Sequence, residues 1–187
     1  TVGAWRLRDD EQIKIFSANM NEQWETSWPE LENVTLESWK KYVAGSLLLF
    51  KESVGSGPLP GFDLSILGNI PLGKGLSSSA AIELCMLNGA NLLFKKNIPP
   101  LDLTKMAQQV EHRYLRVKSG LLDQLACQFG KNNGALLIDF ENLDIQPVRV
   151  AGSFADYAWV LVDSLVKREL ASSKYTERVN EYAAIEE

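Results

Sequence analysis

The stretch Pro71-Leu72-Gly73-Lys74-Gly75-Leu76-Ser77-Ser78-Ser79-Ala80-Ala81 stands between a strand-like segment and a long apolar helix. Its glycines let the backbone turn sharply and approach a ligand closely. Its serines either cap the helix or offer hydroxyls to a ligand or metal. The helix start behind them carries free N–H groups and partial positive charge, a seat for phosphate. Two readings of the local chemistry follow: a phosphate loop, or an ordinary capped strand-to-helix turn.

Outward from that loop, the segment Phe62 to Leu67 alternates and reads as a strand entering it. Beyond it, a helix over about 80–95 is apolar almost all round, with Ile82, Leu84, Met86, Leu87, Leu92 and Phe94, and is expected to be central and buried. Residues 2–8 and 11–17 read as strands joined by Asp9-Asp10. Residues 18–35 are polar and read as an irregular excursion. Thr35 is placed to cap a helix over 36–53, where Leu36, Trp39, Val43, Leu47 and Phe50 form a buried stripe.

A further helix opens at Asp102 or Thr104 and runs to about Val117, with Leu103, Met106, Val110, Tyr114 and Val117 as its stripe. Glu111 falls on a neighbouring row, four residues from both Ala107 and Leu115, and is expected to be partly buried. A buried carboxylate needs a partner or a metal. After Lys118-Ser119-Gly120, residues 121–129 read as a short helix with Leu122, Leu125, Ala126 and Phe129 as its apolar face. Strands are predicted over 134–140, 143–148 and 157–163, the second limited to an edge by Pro147. A last helix starts near Thr176. This mixture, with neighbouring strands early in the chain, predicts an α+β fold.

Composition narrows the function. The chain has 187 residues, 45% hydrophobic and 23% charged, which excludes disorder. A net charge of -5 argues against a general affinity for nucleic acid or an anionic membrane. Apolar runs are too short to span a bilayer, and the N-terminus lacks the order of a signal peptide. The first residue is Thr1 rather than Met, so a processed chain or a fragment is expected. The 2 cysteines, Cys85 and Cys127, lie in apolar helical patterns and fit free thiols in a reducing, cytoplasmic setting. The single His112 cannot build a histidine cluster, and no nucleophile elbow accompanies it.

Gly68 to Lys74 nearly fits the Walker A pattern, but Gly75 stands where Ser or Thr would bind Mg²⁺, so a P-loop NTPase is rejected. The loop instead resembles the phosphate loop of the GHMP kinases. Val110-Glu111-His112 followed by Gly120-Leu121-Leu122-Asp123-Gln124 is similar to the E-H and G-[I/L]-M-D-Q elements of the galactokinase branch. Trp39-Lys40-Lys41-Tyr42-Val43-Ala44-Gly45 resembles its W-x-x-Y-V-x-G helix, and Ser164 to Tyr175 resembles its segment after the next strand.

The resemblance implies a GHMP-kinase-like N-terminal domain, with a mixed sheet and packed helices, incomplete at both ends. Residues 1–187 then form a single partial domain. It implies that backbone N–H groups of Gly73, Gly75, Leu76, Ser77 and Ser78 cradle ATP phosphates. Ser79 and Glu111 would hold Mg²⁺, with Glu83 a rival ligand one turn into the helix. Trp39 and Tyr42 would lie toward the adenine, with core packing as their alternative role. Asp123 would face the sugar hydroxyl as base or orienting group, and Gly120 would let the sugar approach the backbone. His112 is expected to be structural, Lys74 a solvated loop charge, and Lys167 and Arg168 a solvated turn.

Departures also matter. Leu122 replaces the usual Met, a swap close in volume. Nothing resembles the G-R-x-N-L-I-G-E-H-T-D-Y signature that grips the sugar, and the glycine-rich third motif and C-terminal half are absent. The expected function is ATP-dependent phosphorylation of a galactose-like sugar at its anomeric hydroxyl, within a longer protein whose missing segments are partners of this one. The alternatives are a non-catalytic sugar- and ATP-binding regulator on the same fold, or another GHMP small-molecule kinase.

Overall fold

The computed structural model describes residues 1–32, 37–55, 57–149 and the positions 157, 158, 160–163, 165, 177, 181, 182 and 184. The elements in order are β1 (Val2–Leu7), β2 (Gln12–Ser17), β3 (Glu22–Ser27), α1 (Trp28–Leu31), α2 (Lys40–Val54), β4 (Phe62–Leu67), α3 (Ser78–Leu93), α4 (Pro100–Tyr114), α5 (Leu122–Phe129), β5 (Gly134–Asp139) and β6 (Asp144–Arg149). The expected α+β class is what forms.

One sheet has the order β1-β4-β2-β3, with β1–β4 and β2–β3 antiparallel and β2–β4 parallel. Alternation drives it: Phe62, Leu64 and Ile66 on β4 and Ile13 and Ile15 on β2 are buried, and their neighbours in sequence are less so. Phe62 is at the centre, with its ring 5.0 Å from that of Trp5, 6.0 Å from Trp28 and 6.3 Å from Phe94. Tilted and edge-on aromatic pairs of this kind contribute about 0.5–1.5 kcal/mol each beyond area burial.

Helices α2, α3 and α4 pack against one another over this sheet, and α3 also meets β1 and α5. Gly45 permits the α2–α4 approach: a Cβ there would lie 2.8 Å from Val110 Cγ1 and 3.1 Å from the Tyr114 ring. The Gly of the W-x-x-Y-V-x-G segment is thus a packing glycine. The hairpin β5–β6 pairs Ile138 with Ile145 and Leu136 with Pro147.

Several expectations are corrected. The segment 18–35 is not wholly irregular: β3 and α1 fall within it. Glu22 to Ser27 is polar because β3 is an edge strand, and only Thr26 is buried on it. Helix α2 begins at Lys40 with Trp39 as its cap residue, later than expected, and Thr35 lies outside the described residues. Helix α4 begins at Pro100, since proline's fixed φ suits the first helical position. Leu92 and Leu122 are 78% and 55% exposed, so neither belongs to a buried face.

The described positions among 157–163 are not in a strand. Val160, Leu161 and Val162 are exposed, and apolar residues without a ladder partner among the described residues do not make one. Glu177, Glu181, Tyr182 and Ala184 are helical, in line with the last predicted helix, while Lys167, Arg168 and the rest of 166–176 lie outside the described residues.

Candidate active site

Strand β4 ends at Leu67 and delivers the chain to the loop through a clasp. Asn19 Nδ2 donates to Gly68 O at 2.6 Å, and Gly68 N donates back to Asn19 Oδ1 at 2.7 Å. Asn19, just past β2, is a positioning residue that sequence reading missed, because a polar residue after a strand gives no sign of its partner.

The loop itself is exposed and rests on left-handed backbone. Gly73 and Gly75 have φ of 70° and 74°, and Ser77, the residue preceding α3, has φ 57° and ψ 36°. Glycine adopts such angles without the clash that a Cβ brings. A Cβ on Gly73 would meet nothing within 4 Å, so its conformation rather than crowding requires glycine. Ser77 makes no side-chain cap, and α3 has no acidic residue in its first turn. Its leading N–H groups and positive end therefore face the loop uncompensated, which suits an anion. Of the two readings of the serines, capping is not the one that forms.

Ser79 lies one residue into α3 and is buried. Its Oγ donates a 3.0 Å hydrogen bond to Glu111 Oε1 on α4. Glu111 is 2% exposed, deeper than the partial burial its helical row predicts. Glu83 is on the same helix as Ser79, one turn on, and is fully buried. Burial first, and then the neighbouring Glu111 carboxylate, raises the Glu83 carboxyl well above its ordinary value. Burial also raises the Tyr42 phenol, aided by Glu83 and Glu111. Tyr42, Glu83, Glu111 and Ser79 therefore form one polar cluster beneath the loop.

A cavity of about 640 Å³ opens beside this cluster. Its walls include Trp39, Tyr42, Gly73, Ser78 and Ser79, five of the residues singled out in the sequence. Trp39 also belongs to the core, and its Nε1 donates to Glu22 Oε2 at 2.8 Å. Packing and cavity wall are thus compatible roles for that side chain.

Other expected residues stand apart. Gly75, Leu76, Ser77, Glu111, Gly120 and Asp123 do not line this cavity. Asp123 is exposed in the first turn of α5. The turn that leads to it is held by α4: Gln108 Nε2 and His112 Nε2 both donate to Ser119 O, at 3.0 Å and 2.9 Å. His112 is structural, as expected. Lys74 is not simply solvated, since its Nζ lies 2.7 Å from Asp163 Oδ2. Cys85 and Cys127 are free thiols, and burial pushes the half-buried Cys85 thiol up.

The donor set fits a hard cation. A hydroxyl and a carboxylate converge, both are oxygen ligands, and the carboxylate is buried with no cation beside it among the described residues. Oxygen donors of this kind suit a hard ion rather than a softer metal.

Comparison with known proteins agrees with this geometry. The family "GHMP kinases N terminal domain" matches residues 41–131. A galactokinase of Ligilactobacillus salivarius is 37% identical over 183 residues, covering 97% of this chain and 46% of that protein. One from Lactococcus lactis subsp. cremoris is 38% identical over 183 residues, 97% of this chain and 45% of the relative. The crystal structure of Lactococcus lactis galactokinase complexed with galactose superposes with a TM-score of 0.83 at 34% identity, over 98% of this chain and 47% of that one. A mevalonate kinase structure shares the fold, with a TM-score of 0.66 at 19% identity. The chain spans about half the length of the curated relatives it matches. No described helix is long and apolar enough to cross a membrane. With the loop, the buried Ser79–Glu111 pair and the matched residues in agreement, the chain belongs to the GHMP kinases and is similar along almost its whole length to part of the galactokinases.

Proposed function

We propose that this chain is the nucleotide-binding part of a longer sugar kinase that transfers the γ-phosphoryl group of ATP to the anomeric hydroxyl of a galactose-like sugar. The observation that carries the reading is the buried Ser79–Glu111 hydrogen bond directly behind an exposed, left-handed glycine loop. That arrangement supplies an anion seat and a hard-cation pair in adjacent positions.

In this reading the backbone N–H groups of Gly73, Gly75, Leu76, Ser77 and Ser78 receive the phosphates. The cavity between Trp39 and Tyr42 receives the adenine. Ser79 and Glu111 would hold magnesium, which when bound neutralises phosphate charge. Asp123 orients the sugar hydroxyl or takes its proton, an effect worth about 10²–10⁴-fold where general-base catalysis operates. Gly120 leaves room for the sugar beside the backbone. Phosphoryl transfer asks mainly for such positioning and charge neutralisation.

The relatives are about twice as long, and nothing in this sequence resembles the sugar-gripping signature of the family. The 187 residues alone are therefore expected to bind ATP without turning over, and the longer protein to phosphorylate galactose. A coupled kinase assay on both, with calorimetry of ATP with and without magnesium, tests this. Turnover by the 187-residue chain would refute the partial-domain reading, and ATP binding without product in the longer protein would favour the regulator.

A further inference from the structure

Glu83 on α3 and Gln124 on α5 are both fully buried. Neither oxygen of Glu83, and neither the oxygen nor the nitrogen of the Gln124 carboxamide, has a hydrogen-bond partner among the described residues. Orphaned polar groups in a dry interior cost about 1–3 kcal/mol each. Yet the two side chains are buried between α3 and α5, which pack against each other, and the Gln124 carboxamide is near enough to act on the Glu83 carboxyl. A carboxamide offers two N–H donors and an acceptor oxygen, and a carboxyl oxygen accepts, so the two ends suit one another.

Farther along the same two helices the counterpart pair is closed. Asn88 Nδ2 donates to Gln128 Oε1 at 2.8 Å, and Gln128 Nε2 donates to Asn88 Oδ1 at 3.2 Å. The terminal torsions of Glu and Gln are broad, so closing the inner pair asks only for reorientation of its ends. Gln124 directly follows Asp123, and Glu83 lies one turn after Ser79. We propose that the Glu83 carboxyl and the Gln124 carboxamide form a buried tether between α3 and α5, making both positioning residues that set where Asp123 stands relative to the Ser79–Glu111 pair. The catalytic side of this inference rests on the sugar-kinase reading above.

The test uses the full-length protein, with hydrogen exchange of α5 read alongside kcat, the KM for galactose, and magnesium-dependent ATP binding by calorimetry. Gln124→Met is expected to speed exchange in the first turn of α5 about tenfold. It is expected to lower kcat at least about tenfold, because small misplacements of a reacting group are costly. ATP affinity stays within about twofold, since no phosphate contact is lost.

Glu83→Gln is expected to preserve slow exchange of α5, because two carboxamides pair as Asn88 and Gln128 do. Should Gln124→Met fold poorly, the double variant Glu83→Met/Gln124→Met leaves no orphaned polar atom, and lowered kcat with intact ATP binding is expected there too. Unchanged exchange and kcat on loss of the Gln124 carboxamide would overturn the tether. So would a loss of magnesium-dependent ATP binding in Glu83→Gln equal to that in Glu111→Gln, which would make Glu83 a ligand. If the unaltered protein neither binds ATP nor phosphorylates a sugar, the sugar-kinase reading fails, while the exchange measurements still decide the tether.

Discussion

Ser79 Oγ and Glu111 Oε1, from the first turn of one helix and the last turn of another, meet at 3.0 Å in the interior. The contact joins the glycine loop to α4 through two oxygen-bearing side chains. Its two halves can be separated by substitution. Glu111→Gln keeps an acceptor for the Ser79 hydroxyl but loses the charge. It is expected to weaken magnesium-dependent ATP binding by about tenfold or more, since charged ligands dominate such sites. Its urea midpoint is expected to stay close to that of the parent. Ser79→Ala leaves a buried carboxylate oxygen without its donor, at about 1–3 kcal/mol. Calorimetry and urea unfolding of the two variants check this, and equal losses of stability in both would contradict it.

Gly45 predicts an indirect effect on the same pair. A Cβ there would press on Val110, the residue before Glu111. Overpacking of this kind typically costs about 1–3 kcal/mol. Gly45→Ala is expected to lower the urea midpoint accordingly and to weaken ATP binding with it. Unchanged stability would mean that α2 and α4 separate freely.

Glu83 predicts a pH dependence. Its folded-state pKa is raised well above the ordinary 4.5, by burial and then by Glu111. From 4.5 upward to the raised value, the folded chain holds a proton that the unfolded chain has released. Stability contributed at this site therefore falls as pH rises through that window. Glu83→Gln cannot release a proton, so its advantage over the parent should grow as pH rises above 4.5 in metal-free buffer. Urea midpoints across that range decide it, and parallel curves would show that Glu83 titrates normally.

Asp123 is exposed at the start of α5 and does not line the cavity beside the loop. Asp123→Asn in the longer protein is expected to remove most turnover, by about 10²-fold or more if it acts as a base. ATP affinity should be retained. Steady-state kinetics with calorimetry separates the two, and an equal loss of ATP affinity would remove Asp123 from the sugar side of the reaction.

How much was legible depended on whether a residue's signal was local. Strand β4, the loop and the burial of Glu111 could all be read from period and punctuation, because alternation and helical rows report directly which side faces the core. The edge strand β3 could not, since a polar strand whose neighbours supply the burial looks like a loop. The start of α2 was misplaced because a hydrophobic stripe can run beyond the helix, as Trp39 does from the cap position. The Asn19–Gly68 clasp and the Asn88–Gln128 pair are long-range meetings of ordinary residues, and only the fold makes them. The Ser79–Glu111 contact was reached by resemblance rather than by physics: helical rows placed Glu111 inside but did not name its partner.

The position of β4 between β1 and β2 has a consequence for how the chain assembles. Hairpin β2–β3 pairs across a short turn and can close as soon as it is made. Strand β1 is made before β2, yet its ladder is with β4, from Val2 opposite Leu67 to Leu7 opposite Phe62. Until α2 and the segment behind it have been synthesised, β1 lacks its β4 neighbour and the sheet is open on the side of β2 that β4 will occupy. Pairings that distant in sequence close slowly. The growing polypeptide must therefore carry β1 without its β4 partner past the completion of α2, and a ribosome stalled before Leu67 would present a sticky edge to chaperones.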